Sequence, residues 1–283
     1  MIFTGLLFLS SLLLGAAGTV YEFPVDSFDS PYLLFPESRF RRQNLREFTG
    51  GLTVETWVNL DTWDENAAIV SKPLSYTYSK EAVSFHASPF TMFKLGRSDN
   101  SNRVEFSVTI QVEFVNDRTV HGVVTAVSAQ DIAPGVWTHI AGTYDQKKGV
   151  VTIFVNGVED GSAKAAMPGK ITSGAGLPLY VGRTSRAVPD EAFHGRIDEL
   201  RIWNTTRTLN QIRREYDVYM YGDEPGLLFY MNLEQGNEVE ATGNVDMFCE
   251  EAQYNGVRVV RTANSPVRRA WEKPRVVRDT TEL

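Results

Sequence analysis

A long strand followed at once by a short helix is the feature that most constrains this fold. Residues 193–203 read FHGRIDELRIW, where polar and apolar residues alternate imperfectly, as in a strand with one face on a core. Thr208 precedes Gln211 by three residues, which is a capping box and predicts one short helix near residues 208–219. One face of that helix is apolar and is predicted to pack back on a sheet through Leu209, Ile212 and Tyr216.

Strand-like runs separated by turn residues recur through the rest of the chain. In residues 52–60 the aliphatic side chains share one face and Trp57 lies on the other. Asn156-Gly157 is the strongest two-residue hairpin signal, and it lies within a meander predicted over residues 136–162. Many short strands with one helix predict an all-β, antiparallel two-sheet sandwich. The other predicted strands cover residues 68–71, 83–86, 91–95, 103–111, 122–128, 177–182, 193–203 and 227–233.

The beginning of the chain is apolar and uncharged, as in a secretory signal peptide. Residues 2–14 form the apolar run, and the small residues at positions 15–18 suit cleavage after Ala17 or Gly18. An uncleaved anchor is the alternative, although the run is shorter than the roughly 20 residues that a spanning helix needs. We therefore predict a signal peptide over residues 1–18, a secreted protein, and no stable membrane insertion after its removal.

Charge is unevenly distributed in a chain whose formal net charge is -7. This acidity argues against nucleic acid as a partner, because phosphate binding needs a basic face. Residues 215–256 contain acidic side chains but no Lys or Arg, whereas the chain after Val257 is basic. We predict one domain over residues 19–262 and a basic tail over residues 263–283, which either folds back on the acidic stretch or is a disordered extension. The single cysteine, Cys249, is either a buried thiol or an intermolecular bridge.

Four blocks, in order, resemble those of laminin-G-like jelly-roll domains, relatives of the concanavalin A-like lectins and glucanases. The blocks are residues 48–58 (FTGGLTVETWV), 137–145 (WTHIAGTYD), 151–157 (VTIFVNG) and 195–204 (GRIDELRIWN). The resemblance covers roughly residues 20–236. It implies a jelly-roll sandwich that binds a glycan or an extracellular protein. It says least about residues 73–130, where the sequence is idiosyncratic.

The acidic residues near Asp198 bear on catalysis and on metal binding. A retaining glucanase of this architecture places its acids at alternate positions of one strand, and here Arg196 and Leu200 occupy those positions. Asp198 and Glu199 are neighbours, so their side chains are expected on opposite faces. The resemblance implies a calcium ion at Asp198, with Asp29 as a further ligand. The alternative is that Asp198 caps a turn or pairs with Arg196 or Arg201.

Several other side chains have two interpretations. Glu55 is interpreted as a member of an inter-strand ion pair, and His139 as a buried, hydrogen-bonded histidine rather than a metal ligand. Asn204 begins the sequon Asn-Thr-Thr and is a glycosylation site if the host glycosylates secreted proteins. Aromatic residues could stack on sugar rings or could belong to the core: Trp63, Tyr76, Tyr78, Phe90 and Phe93. The sequence as a whole predicts a non-enzymatic binding module, with a protein-binding adhesive protein as the alternative and a glycoside hydrolase third.

Overall fold

A computed structural model shows two packed antiparallel β-sheets and, in the part of the chain it describes, one α-helix. The described residues are 18–25, 31–36, 45, 48–74, 91–99, 101–114, 119–173, 177–184, 191–220, 222–231, 253–255, 258–262 and 269–270. The predicted all-β sandwich is therefore confirmed. The predicted strand at residues 83–86 lies outside the described residues.

The described part of the chain contains eighteen strands and one helix. The elements are β1 (Gly18–Phe23), β2 (Tyr32–Phe35), β3 (Leu52–Trp63), β4 (Ala68–Pro73), β5 (Thr91–Arg97), β6 (Arg103–Glu113), β7 (Thr119–Asp131), β8 (Trp137–Asp145), β9 (Val150–Val155), β10 (Val158–Lys164), β11 (Lys170–Ile171), β12 (Leu179–Val181), β13 (Phe193–Trp203), α1 (Leu209–Glu215), β14 (Val218–Tyr219), β15 (Leu227–Met231), β16 (Gln253–Asn255), β17 (Arg258–Thr262) and β18 (Arg269–Ala270).

The strands form two large sheets, each of eight strands. The first sheet has the order β10-β9-β8-β3-β13-β1-β17, with β15 also paired to β13. The second has the order β11-β6-β5-β4-β12-β2-β16, with β7 also paired to β6. A separate parallel pair joins β14 to β18. Asn156 and Gly157 connect β9 to β10 with positive φ angles of 49° and 74°, as the hairpin signal predicts.

The core lies between the inner faces of the two sheets. On β3, Leu52, Val54, Val58 and Leu60 are buried in it, which confirms the predicted inward face. Opposite them the second sheet contributes Phe93 and Phe106. Gly142 on β8 allows the two sheets to approach, since a Cβ there would lie 2.2 Å from Cγ of Phe106. The sandwich is thus a close-packed two-layer structure with two outer faces.

The helix is shorter than predicted and only part of its predicted face is buried. The capping box forms as expected, with the Thr208 side chain accepting from the Gln211 backbone and the Gln211 side chain accepting from the Thr208 backbone. Ile212 is buried, but Leu209 is 37% exposed, so the prediction for Leu209 was wrong. The helix ends at Glu215 because Val218 and Tyr219 instead pair as a strand with Arg269 and Ala270.

The predicted domain limits remain predictions. Residues 1–17 lie outside the described residues, and β1 begins at Gly18. β17 ends at Thr262, and β18 lies within the basic tail predicted for residues 263–283. Cys249 lies outside the described residues.

Candidate functional site

A β-bulge in β13 places Asp198 and Glu199 on the same side of the first sheet. The register of β13 against β3 shifts between Asp198 and Arg201, and Glu199 has a positive φ of 54°. Asp198 lies opposite Trp57, while the Glu199 carboxylate accepts from Tyr230 Oη at 2.7 Å. The prediction of opposite faces was wrong because a bulge inserts a residue and breaks the two-residue period.

Asp198 is fully buried on this outer face. Its Oδ1 accepts a hydrogen bond from the Glu199 backbone N–H at 2.9 Å, so the carboxylate caps the bulge. Its backbone carbonyl accepts from Thr56 Oγ1 at 2.9 Å. The two arginines that the sequence offered as partners make other ion pairs, since Arg196 binds Glu22 at 3.0 Å and Arg201 binds Glu199 at 2.6 Å.

The predicted calcium site involves a residue that the structure does not describe. Asp29 lies outside the described residues. Within the described part of the chain, no group of three or more His, Cys, Asp or Glu side chains could hold a metal ion. A calcium site shared by Asp198 and Asp29 stays a prediction.

Glu55 is the centre of a buried ionic cluster on the outer face of the first sheet. Its Oε1 lies 2.8 Å from Arg207 Nη1 and 3.9 Å from Arg201 Nη1, and it also accepts from Trp203 Nε1 at 2.8 Å. Burial by itself would raise the pKa of the Glu55 carboxyl, but the Arg207 and Arg201 guanidinium groups outweigh it and lower the pKa. The interpretation of Glu55 as an inter-strand ion-pair member agrees with its position opposite Arg201.

The last turn of α1 completes this cluster. The Glu215 carboxylate pairs with Arg207, and the Glu215 backbone carbonyl accepts from Arg201 Nη1 at 2.9 Å. The buried charges therefore connect β3 and β13 to the end of the helix. Each buried charge of the cluster has a partner of opposite sign, so none of them carries the large cost of an unpaired buried charge.

His139 lies beside the cluster as a buried neutral ring. Its ring centroid is 5.5 Å from those of Trp57 and Tyr216, and its Nε2 is 3.6 Å from Glu55 Oε2. Burial lowers the pKa of His139 to about 4, although the Glu55 charge acts in the opposite direction. Its environment is that of a structural histidine, as predicted. The expected hydrogen bond is not formed at Nδ1, which has no hydrogen-bond partner within the described part of the chain. The ring instead packs against Trp57 and Tyr216.

The helix and the residues after it close the outer face of the first sheet. Ile212 packs on Ala141 and Phe154. Trp57 Nε1 donates to the Tyr216 carbonyl at 2.7 Å. Because these contacts bury the middle of the face, the acidic residues beneath them are not exposed to a sugar ring.

The second sheet has a different outer face. On β6 the residues Val104, Phe106, Val108 and Ile110 point into the core, so the residues between them point outward. Strand register aligns one outward residue from each of six strands in a single row: Leu34, Tyr180, Ser71, Lys94, Ser107 and Thr125. The row is closed near β4, where Ser71 Oγ donates to the Arg183 carbonyl at 3.1 Å, and it becomes more exposed toward β7.

We use the name polar face for six outward polar side chains of β5, β6 and β7: Lys94, Glu105, Ser107, Gln111, His121 and Thr125. Lys94 and Ser107 are buried, and the exposed Val123 lies on the same side of β7. Lys94 and Glu105 form an ion pair of 3.1 Å. Gln111 lies opposite His121, and His121 Nδ1 is 3.1 Å from Thr172 Oγ1. The polar face thus combines hydroxyl, amide, imidazole and charged groups on one rigid surface.

Sequence reasoning missed the polar face, although its signal is present. The alternation of residues 103–111 predicts a strand with a polar side, but it does not say whether that side is open or covered. Of the aromatic residues that were candidates for sugar stacking, the two that the structure describes are not on this face. Trp63 and Phe93 belong to the core, and Tyr76, Tyr78 and Phe90 lie outside the described residues.

Asn204, the predicted glycosylation site, is half-buried where β13 ends. Its Oδ1 accepts from the Thr49 backbone N–H at 2.9 Å, and Thr205 beside it is exposed. Glycosylation of Asn204 stays a prediction. In the described residues, no helix has the length and apolar character needed to cross a bilayer.

A family model described as the concanavalin A-like lectin/glucanases superfamily, of the laminin G type, matches residues 31–213. The chain belongs to this laminin-G-like family. The resemblance seen in the four sequence blocks is therefore confirmed. A search of curated protein sequences finds no significant match.

Solved structures resemble this chain at low sequence identity. A candidate carbohydrate binding protein from Bacteroides ovatus is 19% identical with a TM-score of 0.58, and the alignment covers 89% of this chain and 62% of that one. This chain thus spans less than two thirds of that protein. A heptameric SAP-like pentraxin from Limulus polyphemus is 14% identical with a TM-score of 0.49, covering 86% and 94% of the two chains. The Ruminococcus gnavus IT-sialidase CBM40 bound to α2,3-sialyllactose is 13% identical with a TM-score of 0.43, covering 70% and 92%.

Proposed function

We propose that this protein is a secreted, non-enzymatic module that binds carbohydrate on the polar face. The observation that carries the proposal is the contrast between the two outer faces. One is closed by α1, whereas the other presents aligned polar side chains that become accessible toward β7. The family and the carbohydrate binding attributed to the Bacteroides ovatus protein support this proposal.

The polar face has chemistry that suits sugar hydroxyls. Gln111 offers both a donor and an acceptor, Thr125 a hydroxyl, and Glu105 a carboxylate oxygen. Because these groups stand on paired strands, their spacing is fixed before a ligand arrives, which lowers the entropic cost of binding. Recognition would be reversible and would need no bond to be broken.

Burial of the acidic residues on the other face argues against glycoside hydrolysis there. Hydrolysis requires two carboxyl groups that flank a glycosidic bond in an open groove. Glu55, Asp198 and Glu199 are instead buried, and each is bonded within the first sheet and its cover. Release of reducing ends from any polysaccharide by the pure protein would contradict the non-enzymatic assignment.

Glycan-array binding by the wild type and by two polar-face variants tests the proposed site. Gln111→Ala and His121→Ala each remove side-chain hydrogen-bonding groups from adjacent strands, and we expect each to weaken binding about tenfold. The matched control is Thr152→Ala on β9 of the first sheet, which should bind as the wild type does. Equal binding by all four proteins would refute the site, and binding only to extracellular proteins would favour the adhesive alternative.

Calcium dependence is a separate part of the proposal. If calcium binds through Asp198 and Asp29, it stabilises only the folded protein and must raise the melting temperature. Asp198→Asn and Asp29→Asn should each abolish that rise, and loss of glycan binding with a chelator would favour calcium-dependent recognition. An unchanged melting temperature at millimolar calcium would rule out the metal site but would leave the sugar proposal intact.

A further inference from the structure

The edge strands of the two sheets differ in how well they are protected from pairing with another strand. β10 ends the first sheet and has Glu159, Asp160 and Lys164, together with a register shift between Glu159 and Gly161. Charged side chains and bulges on an edge prevent it from adding a further strand. β10 is therefore a protected edge.

β7 has none of this protection along most of its length. It is 13 residues long, and residues 119–130 include no Lys, Arg, Asp, Glu or Pro. Within the described part of the chain it pairs only with β6. Its C-terminal part is shielded by β10, since Gln130 N donates to Asp160 Oδ2 at 3.2 Å and a Cβ on Gly161 would lie 2.0 Å from the Val127 carbonyl oxygen.

The N-terminal part of β7 is open to solvent on both faces. All residues from 119 to 123 are exposed, and a Cβ on Gly122 would have no atom within 4 Å. Val120 and Val123 point to opposite faces and are 45% and 55% exposed, and Phe114 at the end of β6 is 41% exposed. The β6–β7 ribbon thus extends past the core with apolar side chains and an unprotected edge.

We propose that residues 119–125 of β7 pair antiparallel with the same residues of a second copy of this chain. A twofold axis at Gly122 would place Thr119 opposite Thr125 and Val120 opposite Val124, and would join the two second sheets into one. Self-pairing suits this segment because no like charges meet, although each chain has a net charge of -7. It also covers exposed apolar side chains beside the edge.

Val120→Lys tests the interface and spares the polar face, because Val120 lies on the opposite side of β7 from His121 and Thr125. We expect the wild type to have twice the mass of one chain by sedimentation equilibrium, and Val120→Lys to weaken association about a hundredfold or more by opposing two like charges. Val158→Lys on the protected edge of β10, also at an exposed valine, is the matched control and should still dimerise.

A cysteine at position 122 tests the register. In a Cys249→Ser background, Gly122→Cys should form an intermolecular disulfide under mild oxidation, because residues directly opposite in an antiparallel pair have Cβ atoms close enough to bridge. Val158→Cys should not form one. A monomeric wild type at every concentration, or equal dimerisation by wild type and Val120→Lys, would overturn the proposal. A stable complex with a different protein that Val120→Lys abolishes would do the same.

Discussion

The two outer faces of the sandwich differ in how deeply their charged side chains are buried. On the first sheet, Glu55, Glu199, Arg201 and Arg207 are buried under the helix and bonded to one another. On the second sheet, the Lys94–Glu105 pair retains contact with solvent. The comparison indicates that the first face holds the fold together through buried charges, whereas the described residues of the second face become more exposed toward β7.

The largest expected effect is at Glu55. Glu55→Ala removes the carboxylate that Arg207 and Arg201 share and the acceptor of Trp203 Nε1, which should lower the free energy of unfolding by about 3–5 kcal/mol although Glu215 and Glu199 still pair with the arginines. Glu105→Ala on the second sheet breaks a partly exposed pair and should cost only about 0–1 kcal/mol. Urea unfolding of both variants measures the difference. Similar losses would show that the two faces do not differ as described.

Ile212 tests whether the helix is held mainly by apolar packing. Ile212→Ala removes a fully buried side chain from its contact with Ala141 and Phe154, and should cost about 2–5 kcal/mol in the free energy of unfolding. Leu209→Ala on the same helix is the control, and its exposed position should keep the loss within about 0.5 kcal/mol. A small effect at Ile212 would mean that the ionic cluster alone holds the helix.

The pH dependence of stability tests the buried histidine. The unfolded chain protonates His139 near pH 6.5, whereas the folded protein does so only near its pKa of about 4. The unfolded state therefore binds more protons in this window, and stability should fall by up to about 3 kcal/mol as the pH drops from 6.5 to 4.

Measurements between pH 6.5 and 5 isolate this histidine, because the lowered pKa of Glu55 matters only in more acidic solution. His139→Leu should remove most of the slope in that range. His121→Gln, at an exposed position on the second sheet, should keep it. An unchanged slope in His139→Leu would contradict the buried neutral ring.

The smallest expected effect is at the helix N-cap. Thr208→Ala removes the side-chain oxygen that accepts from the Gln211 backbone, and it should cost about 1 kcal/mol. Thr208→Ser preserves the oxygen and is the control. Thermal unfolding monitored by circular dichroism would detect the difference, and equal stability of the two variants would show that the cap contributes little.

The sequence predicted those elements whose signals are local. β9 and β13 begin and end where alternation places them, and the Asn156-Gly157 turn has the expected backbone. Leu209 was misplaced because a helical face alone does not show how far the sheet beneath it extends. The bulge at Asp198 could not be predicted, since it depends on the partner strand β3.

Long-range pairing explains the other differences. β1 and β2 were not among the predicted strands, because their partners are far away in sequence; Tyr21 lies opposite Ile197 and Val259. For the candidate site, the sequence analysis predicted a strand over residues 103–111 but neither its polar side nor which sheet the helix would cover. The accessible face could be recognised only once α1 was seen on the first sheet.

The pairing of β1 with β17 has a consequence for synthesis at the ribosome. The next strand of the first sheet along the chain is β3, but the neighbours of β1 in that sheet are β13 and β17. Gly18 of β1 lies opposite Thr262 of β17. The second edge of β1 can therefore be hydrogen-bonded only after residues 258–262 have been synthesised. Such long-range pairing raises the contact order and slows folding, so β1 has one unpaired edge for most of the time that the two sheets take to be synthesised.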